Sequence, residues 1–413
     1  MLKILKNDVY FFIILFLFFT FKNIFIWKTL PLIPLTGLII IFIMGFILKN
    51  EIINFVKSLN KLHHVIILIT IIILCINFYI SQYKIFFIKS VVKYFTFILL
   101  TLIFVIIKEQ NYKNFIISWF IIIELFGICE NFFYKQLKPI LFYIDQFGVR
   151  EYPKITSIFI HHNIFGVFCA IVGAYSLINL FSIKNNHIKI LSIIAIITSI
   201  YGIILSTSKN ALLSFLIATI IYSLLRGDIN TKIILLIIFI FLLGGIYFTC
   251  KNSRIVAYRL GKALPAPIKI YKNQKLKIKD FYPKFKSGLN GRERFWQIGL
   301  NLFKKSPYFG IGIGQFRLKN KINKRYNLHN LYVQMLVEGG IFLFLIFIFY
   351  IIYFLIKFYP SIYYSIYIAI LVSICFDNFF DYSFLWNIFA SWIFSEIIFN
   401  INQKNVSTRS YSN

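Results

Sequence analysis

Apolar stretches, each close to the length of a bilayer crossing, alternate along this chain with short polar joints. A helix that crosses the hydrocarbon core needs about 20 mostly apolar residues, with a range of about 17–25. By that measure the runs 9–26, 29–48, 64–80, 86–107, 114–129, 156–181, 188–205, 210–225, 233–249, 338–357, 361–377 and 381–400 read as spans. The first, fourth and fifth are the least clean, interrupted by Lys22, Lys89, Lys93 and Glu124. The predicted fold is an all-α transmembrane bundle of about twelve spans, since helices satisfy every backbone group inside lipid. The opening, MLKILKNDVYFFIILFLFF, has a basic lead, an apolar run and no small-residue cleavage site, and reads as a retained signal-anchor.

An even number of spans puts both termini on one side, and the short loops say which. Lys and Arg of short loops stay cytoplasmic. One alternate set of joints holds Lys3, Lys6, Lys49, Lys57, Lys61, Lys108, Lys113, Lys184, Lys189, Arg226, Lys232, Lys357, Lys404 and Arg409. The other set has Lys28, Lys84 and Lys209 in its short members. The termini are therefore predicted cytoplasmic. The organisation follows: residues 1–249 carry spans one to nine, 250–337 form a large periplasmic loop, 338–400 carry spans ten to twelve, and 401–413 make a cytoplasmic tail. A second outer loop of about 25 residues is expected at 130–155.

Composition narrows the class. Hydrophobic residues make up 59% and charged ones 14%, against about 45–50% and about 25% in soluble domains. Lipid must be the solvent for most of the chain. The formal charge of +30 sits between apolar runs, which points to a membrane surface or phosphate-bearing lipid and away from nucleic acid. The cysteines (Cys75, Cys129, Cys169, Cys250, Cys375) lie in or at the ends of spans with no metal-ligand or disulfide spacing. No metal site is indicated. The long loop is itself strongly basic, with about twenty Lys and Arg against Asp280 and Glu293, and it contains a Gly-rich turn at Gly310, Gly312 and Gly314.

Four segments could carry chemistry. In NLHNLYVQMLVEGG, Asn327 is a plausible helix cap, which would put His329 in the first turn. Asn330, Gln334 and Glu338 follow four apart as a polar stripe. The positive end of that helix would favour the neutral imidazole that a general base needs. His329 is the sole histidine of the long loop, and its plain alternative is a solvated junction residue. Arg292 and Trp296 share a helix face; Arg offers a planar fork for phosphate oxygens, and Trp is an interfacial anchor. Lys209, in STSKNA, would place a cation beside the helix N-terminus that opens a span. His161, His162 and Asn163 lie in an apolar run and should face the bundle interior. Glu124, Asp377 and Glu396 could form a proton relay, or pair with Lys89 or Lys93.

In this order the segments resemble the O-antigen ligase and polymerase superfamily of bacterial envelope glycosyltransferases. The residues that carry the resemblance are Arg150; Phe159, Asn163 and Gly166; Ser208 and Lys209; Arg292 and Trp296; Pro307, Gly310 and Gly312; and His329, Asn330, Gln334, Gly339 and Gly340. It covers about residues 145–345. One departure stands out: Lys209 sits where the family usually has Arg, so charge is kept but the bidentate fork is lost.

The resemblance implies an inner-membrane, multi-pass enzyme with its active face in the periplasm. It would transfer an O-antigen glycan from undecaprenyl pyrophosphate to lipid A–core, without cofactor or metal. It implies His329 as base, Arg292, Lys209 and Arg150 as the pyrophosphate clamp, and Asn163, Trp296, Asn330 and Gln334 in support. No carboxylate nucleophile presents itself, so inversion by direct displacement is expected. The rivals are a polymerase that joins lipid-linked repeat units, a protein O-oligosaccharyltransferase, and a lipid-glycan flippase. A flippase should show inverted repeats and would not need a basic outer loop with a lone histidine.

Overall fold

The structure is a computed structural model that describes residues 45–107, 113–133, 155–229 apart from 156, 158 and 160, parts of 232–247, and residues 290–319, 327–376, 389–395 and 398. The expected span 9–26, most of 29–48 and 381–400, the loops 134–154 and 250–289, the tail, and Arg150, Asp377 and Glu396 lie outside the described residues. Among the described residues all regular structure is helical. The helices are α1 (Lys49–Lys57), α2 (Lys61–Ile80), α3 (Lys84–Ile107), α4 (Lys113–Phe132), α5 (His162–Ser182), α6 (Asn186–Ser206) and α7 (Lys209–Arg226). They continue with α8 (Asn290–Lys305), α9 (Phe316–Lys319), α10 (Leu331–Phe358) and α11 (Tyr364–Ile374). Six of them, α2, α3, α5, α6, α7 and α10, are long and apolar enough to cross a membrane.

Polar residues at the joints explain where several helices begin. The side chains of Asn60, Asn185, Ser208 and Asn330 accept hydrogen bonds from backbone amides in the first turns of α2, α6, α7 and α10. α7 ends on Gly227 in a left-handed conformation, φ 75°. α1 is a helix that span-length reasoning leaves as loop. Its residues KNEIINFVK are too few and too charged to cross.

The core is built around α5, in which every residue from Ile164 to Asn179 is buried. A helix apolar on all sides belongs inside a bundle. α5 packs against α6 and α7, α6 also packs on α4, and α7 on α11. Small residues let these backbones approach closely, since lipid tails compete for apolar contact as well as leucine does. A Cβ on Gly166 would overlap Ser206 Oγ, and one on Gly202 would press Cys169 Sγ. Glu124 of α4 is fully buried in this core, and Thr198 Oγ1 and Ser199 Oγ of α6 each donate to one of its carboxylate oxygens at 2.5 Å. Hydroxyls thus serve Glu124 where Lys89 or Lys93 was the expected partner. They are already buried beside it on α6, whereas Lys89 has its ammonium over the Phe86 ring at 5.7 Å.

Two helix boundaries differ from expectation. The run 156–181 is not one helix, because α5 begins only at His162. Ile155, Ser157 and Phe159 are buried in non-helical backbone packed against α4 and α5. Ser157 donates through N–H to Glu130 Oε2 at 2.7 Å and through Oγ to Ile123 O at 2.7 Å. Irregular backbone at membrane depth survives only where protein covers it, and here it does. The second difference is in α10, which starts at Leu331 and is broken at Gly340, φ 72° and ψ −177°. A short helix and a span meet at that break.

The ends of α5 and α7 meet where the Arg226 guanidinium lies over the Phe181 ring at 5.2 Å, and the starts of α7 and α10 meet at the end of α11.

Candidate functional site

The site is best built from the break in α10. A helix interrupted inside a membrane protein leaves backbone groups that need partners. Here the run Pro307–Gln315 supplies them. Ile311 N–H donates to Val337 O at 3.0 Å and Gly312 N–H to Glu338 O at 3.0 Å. In return Ile341 N–H donates to Pro307 O at 2.9 Å. The two backbones touch so closely that a Cβ on Gly310 or on Gly340 would overlap main-chain atoms of the other run. Both glycines have positive φ, 70° and 72°. The Gly-rich turn is therefore a clasp on a broken helix.

Two fully buried amides lock the clasp to the α2–α3 turn. Asn77 Nδ2 donates to Phe309 O at 2.6 Å and to Glu338 O at 3.1 Å, while Asn77 Oδ1 accepts from Ile313 N–H at 2.8 Å. Gln315 Nε2 donates to Tyr83 O at 2.9 Å, and Gln315 Oε1 accepts from Tyr83 N–H at 3.0 Å. Neither residue was singled out from sequence. A lone Asn in the apolar run 64–80 was a usable signal, because a polar side chain inside a span must face protein.

The polar stripe of α10 is real but turns inward. Gln334 Nε2 donates to Glu338 Oε2 at 3.0 Å, and Glu338 Oε1 accepts from Phe316 N–H at 2.9 Å. Both side chains are buried, and Gln334 supports the clasp through Glu338. On the following turn Lys319 Nζ donates to Ile311 O at 3.4 Å, and burial lowers its pKa below the ordinary lysine value.

His329 stands just before α10, and the expected cap needs correction. Asn330 is the N-cap, its Oδ1 accepting from Val333 N–H at 3.0 Å. Asn327 Oδ1 instead accepts from His329 N–H at 3.0 Å, two residues on, and His329 takes φ 48°. His329 is thus outside the first turn, in a tight polar turn that Asn tolerates well on either side. Its ring is half-buried, 6.5 Å from the Phe295 ring of α8. Trp296 Nε1 donates to Leu328 O at 2.7 Å, which ties α8 to the residue before His329. Arg292, half-buried, lies one turn back on the same helix.

The starts of the other helices come to this end as well. Lys209 is the first residue of α7 and is exposed, with Ser208 capping the helix. Asn210 Nδ2 donates to Ser373 O at 2.9 Å and Tyr332 OH to Leu371 O at 3.2 Å, so the end of α11 joins the starts of α7 and α10. Asn163 is half-buried in the first turn of α5, where its N–H donates to His161 Nδ1 at 3.2 Å. His161 and His162, 4.4 Å apart between ring centroids, are the N-cap and first residue of that helix, at its mouth. Among the described residues no group of three or more His, Cys, Asp or Glu could hold a metal ion.

Residues 194–348 match the family model described as O-antigen ligase. Over that segment the chain is similar to the O-antigen ligase family. No curated protein and no solved structure matches the chain. The ligase match runs from within α6 into the span half of α10, and it contains Lys209, Arg292, Trp296, His329, Asn330 and Gln334. Asn77, Arg150 and Asn163 lie outside the matched segment. Six helices are long and apolar enough to cross a membrane, and with the ligase match they indicate a multi-pass membrane protein.

Proposed function

We propose that this enzyme transfers an O-antigen glycan from undecaprenyl pyrophosphate to a hydroxyl of lipid A–core on the periplasmic face of the inner membrane. One observation carries the reading. The start of α5, with Asn163, packs on the start of α7, with Lys209; the starts of α7 and α10 are both tied to the end of α11; and α8, with Arg292, packs on α10 and on the residue before His329.

The chemistry asks for little more. His329 takes the proton of the acceptor hydroxyl as its oxygen attacks the anomeric carbon. The bond from that carbon to the pyrophosphate oxygen breaks, and the leaving group carries away the electron pair. Arg292, Lys209 and Arg150 hold the charge that develops on it, a task that fixed cations perform where other transferases use a metal. Direct displacement inverts the anomeric centre.

Transfer measured at matched donor occupancy tests the assignment. General-base catalysis contributes about 10²–10⁴-fold, so His329→Ala and His329→Gln should both lose on that order while donor binding persists. Wild-type rates in His329→Gln would overturn it. The acceptor is read separately in a deletion strain: polymer retained on the lipid carrier and missing from lipid A means ligase, whereas a single capped repeat unit means polymerase.

A further inference from the structure

We infer that Asn77, on α2 and outside the ligase-matched segment, is a positioning residue for transfer: it sets where His329 stands. The inference rests on the reading of His329 as base.

Asn77 acts through the backbone: its side-chain amide bonds Phe309 O, Glu338 O and Ile313 N–H. Its amide bridges two segments that must keep register, the clasp run at Phe309 and Ile313 and the last turn before the break at Glu338. From there the linkage to the base is short. Glu338 holds the amide of Phe316, and the Phe316 ring packs in one buried cluster with Leu328 and Val337. Leu328 adjoins His329 and is held by Trp296 of α8, the helix that carries Arg292. His329 itself has little freedom, with φ 48° and its amide bound to Asn327. A shift of the clasp therefore moves the imidazole as part of a packed unit. Cores of this kind transmit displacement instead of absorbing it.

A misplacement of about 1 Å can cost on the order of 10²-fold in rate without disturbing binding. The test is a double-mutant cycle on purified full-length enzyme with undecaprenyl-pyrophosphate-linked glycan as donor. Single-turnover transfer is measured per donor-occupied enzyme for wild type, Asn77→Ser, His329→Gln and the double variant. Asn77→Ser should lose about 10–100-fold in transfer with the donor KM little changed. The same substitution should cost almost nothing in the His329→Gln background, because the group it positions is already gone. If Asn77→Ser gives no folded protein, Asn77→Gln, which keeps both donor and acceptor one carbon further out, is taken through the same cycle.

A structural role alone would lower the yield of folded enzyme and leave the rate per occupied enzyme unchanged, which overturns the inference. An equal loss in both backgrounds also overturns it. A wild-type rate in His329→Gln sinks the base assignment and this inference together. A normal Asn77 variant beside a damaged His329→Gln sinks this inference alone.

Discussion

Gly340→Ala offers a quantitative test of the broken helix. Gly340 occupies a region of backbone space, φ 72° and ψ −177°, that is essentially reserved for glycine. A side chain there costs about 1–3 kcal/mol in conformation alone. The added Cβ would also overlap Tyr308 O and Gly310 N, which are main-chain atoms and cannot swing aside. The two runs must part, and the bonds Ile311 N to Val337 O, Gly312 N to Glu338 O and Ile341 N to Pro307 O go with them. At about 0.5–1.5 kcal/mol each, the total loss comes to about 3–7 kcal/mol. That is a large share of a folding free energy of about 5–15 kcal/mol.

Two other glycines calibrate the measurement. Gly227 has φ 75° but nothing within 4 Å of an added Cβ, so Gly227→Ala should cost only the left-handed penalty of about 1–2 kcal/mol. Gly244 is helical with open space around it, and Gly244→Ala should be neutral or stabilising by up to about 1 kcal/mol. Equilibrium unfolding of the three variants in one detergent, followed by tryptophan fluorescence, gives the series. If Gly340→Ala loses no more than Gly227→Ala, the account of the clasp is wrong.

The remaining expectations are briefer. Arg292→Ala should weaken donor use and Arg292→Lys restore it only in part, since a point charge cannot fork two phosphate oxygens; normal donor turnover by Arg292→Ala in membranes with equal protein would remove Arg292 from the clamp. Lys209→Arg should be neutral or mildly beneficial by the same reasoning, and a marked loss of rate would show that the position is not a phosphate contact. Transfer by purified enzyme should survive a strong chelator, and loss on chelation with recovery on Mg²⁺ or Mn²⁺ would contradict the cationic clamp. Reporters fused near residue 290 should read periplasmic and those near 55 or 405 cytoplasmic; a cytoplasmic signal at 290 would move the site to the wrong compartment. Lys319→Met should raise the unfolding temperature near neutral pH, because the folded protein lowers the lysine pKa and so disfavours its charged form. That penalty shrinks as pH rises through the lowered folded value towards the unfolded one, so the gain should fade at alkaline pH, and a gain that grows there would refute it.

What the sequence determined by itself follows from local rules. Lipid admits only backbones that satisfy themselves, so the apolar runs had to be helices, and α2, α3, α6 and α7 fall within about three residues of where run length put them. The spacing of Arg292 and Trp296, of Ser208 and Lys209, and of His329 and Asn330 marked segments that all fall within the ligase-matched residues 194–348.

Tertiary structure decided the rest, in each case because a polar group found a distant partner. Asn330 caps α10 and Asn327 turns back on His329, a choice between two asparagines three residues apart that propensity alone does not make. The run before His162 stays irregular because Glu130 and Ile123 of α4 take the bonds of Ser157. Glu124 settles on two hydroxyls of α6, and Asn77 reaches 232 residues along the chain to hold Phe309. Hydrophobic periodicity reports which face of a helix is buried but not which buried amide will meet which orphaned carbonyl. Those pairings exist only once the helices are packed, and they are what place the clasp beneath the histidine.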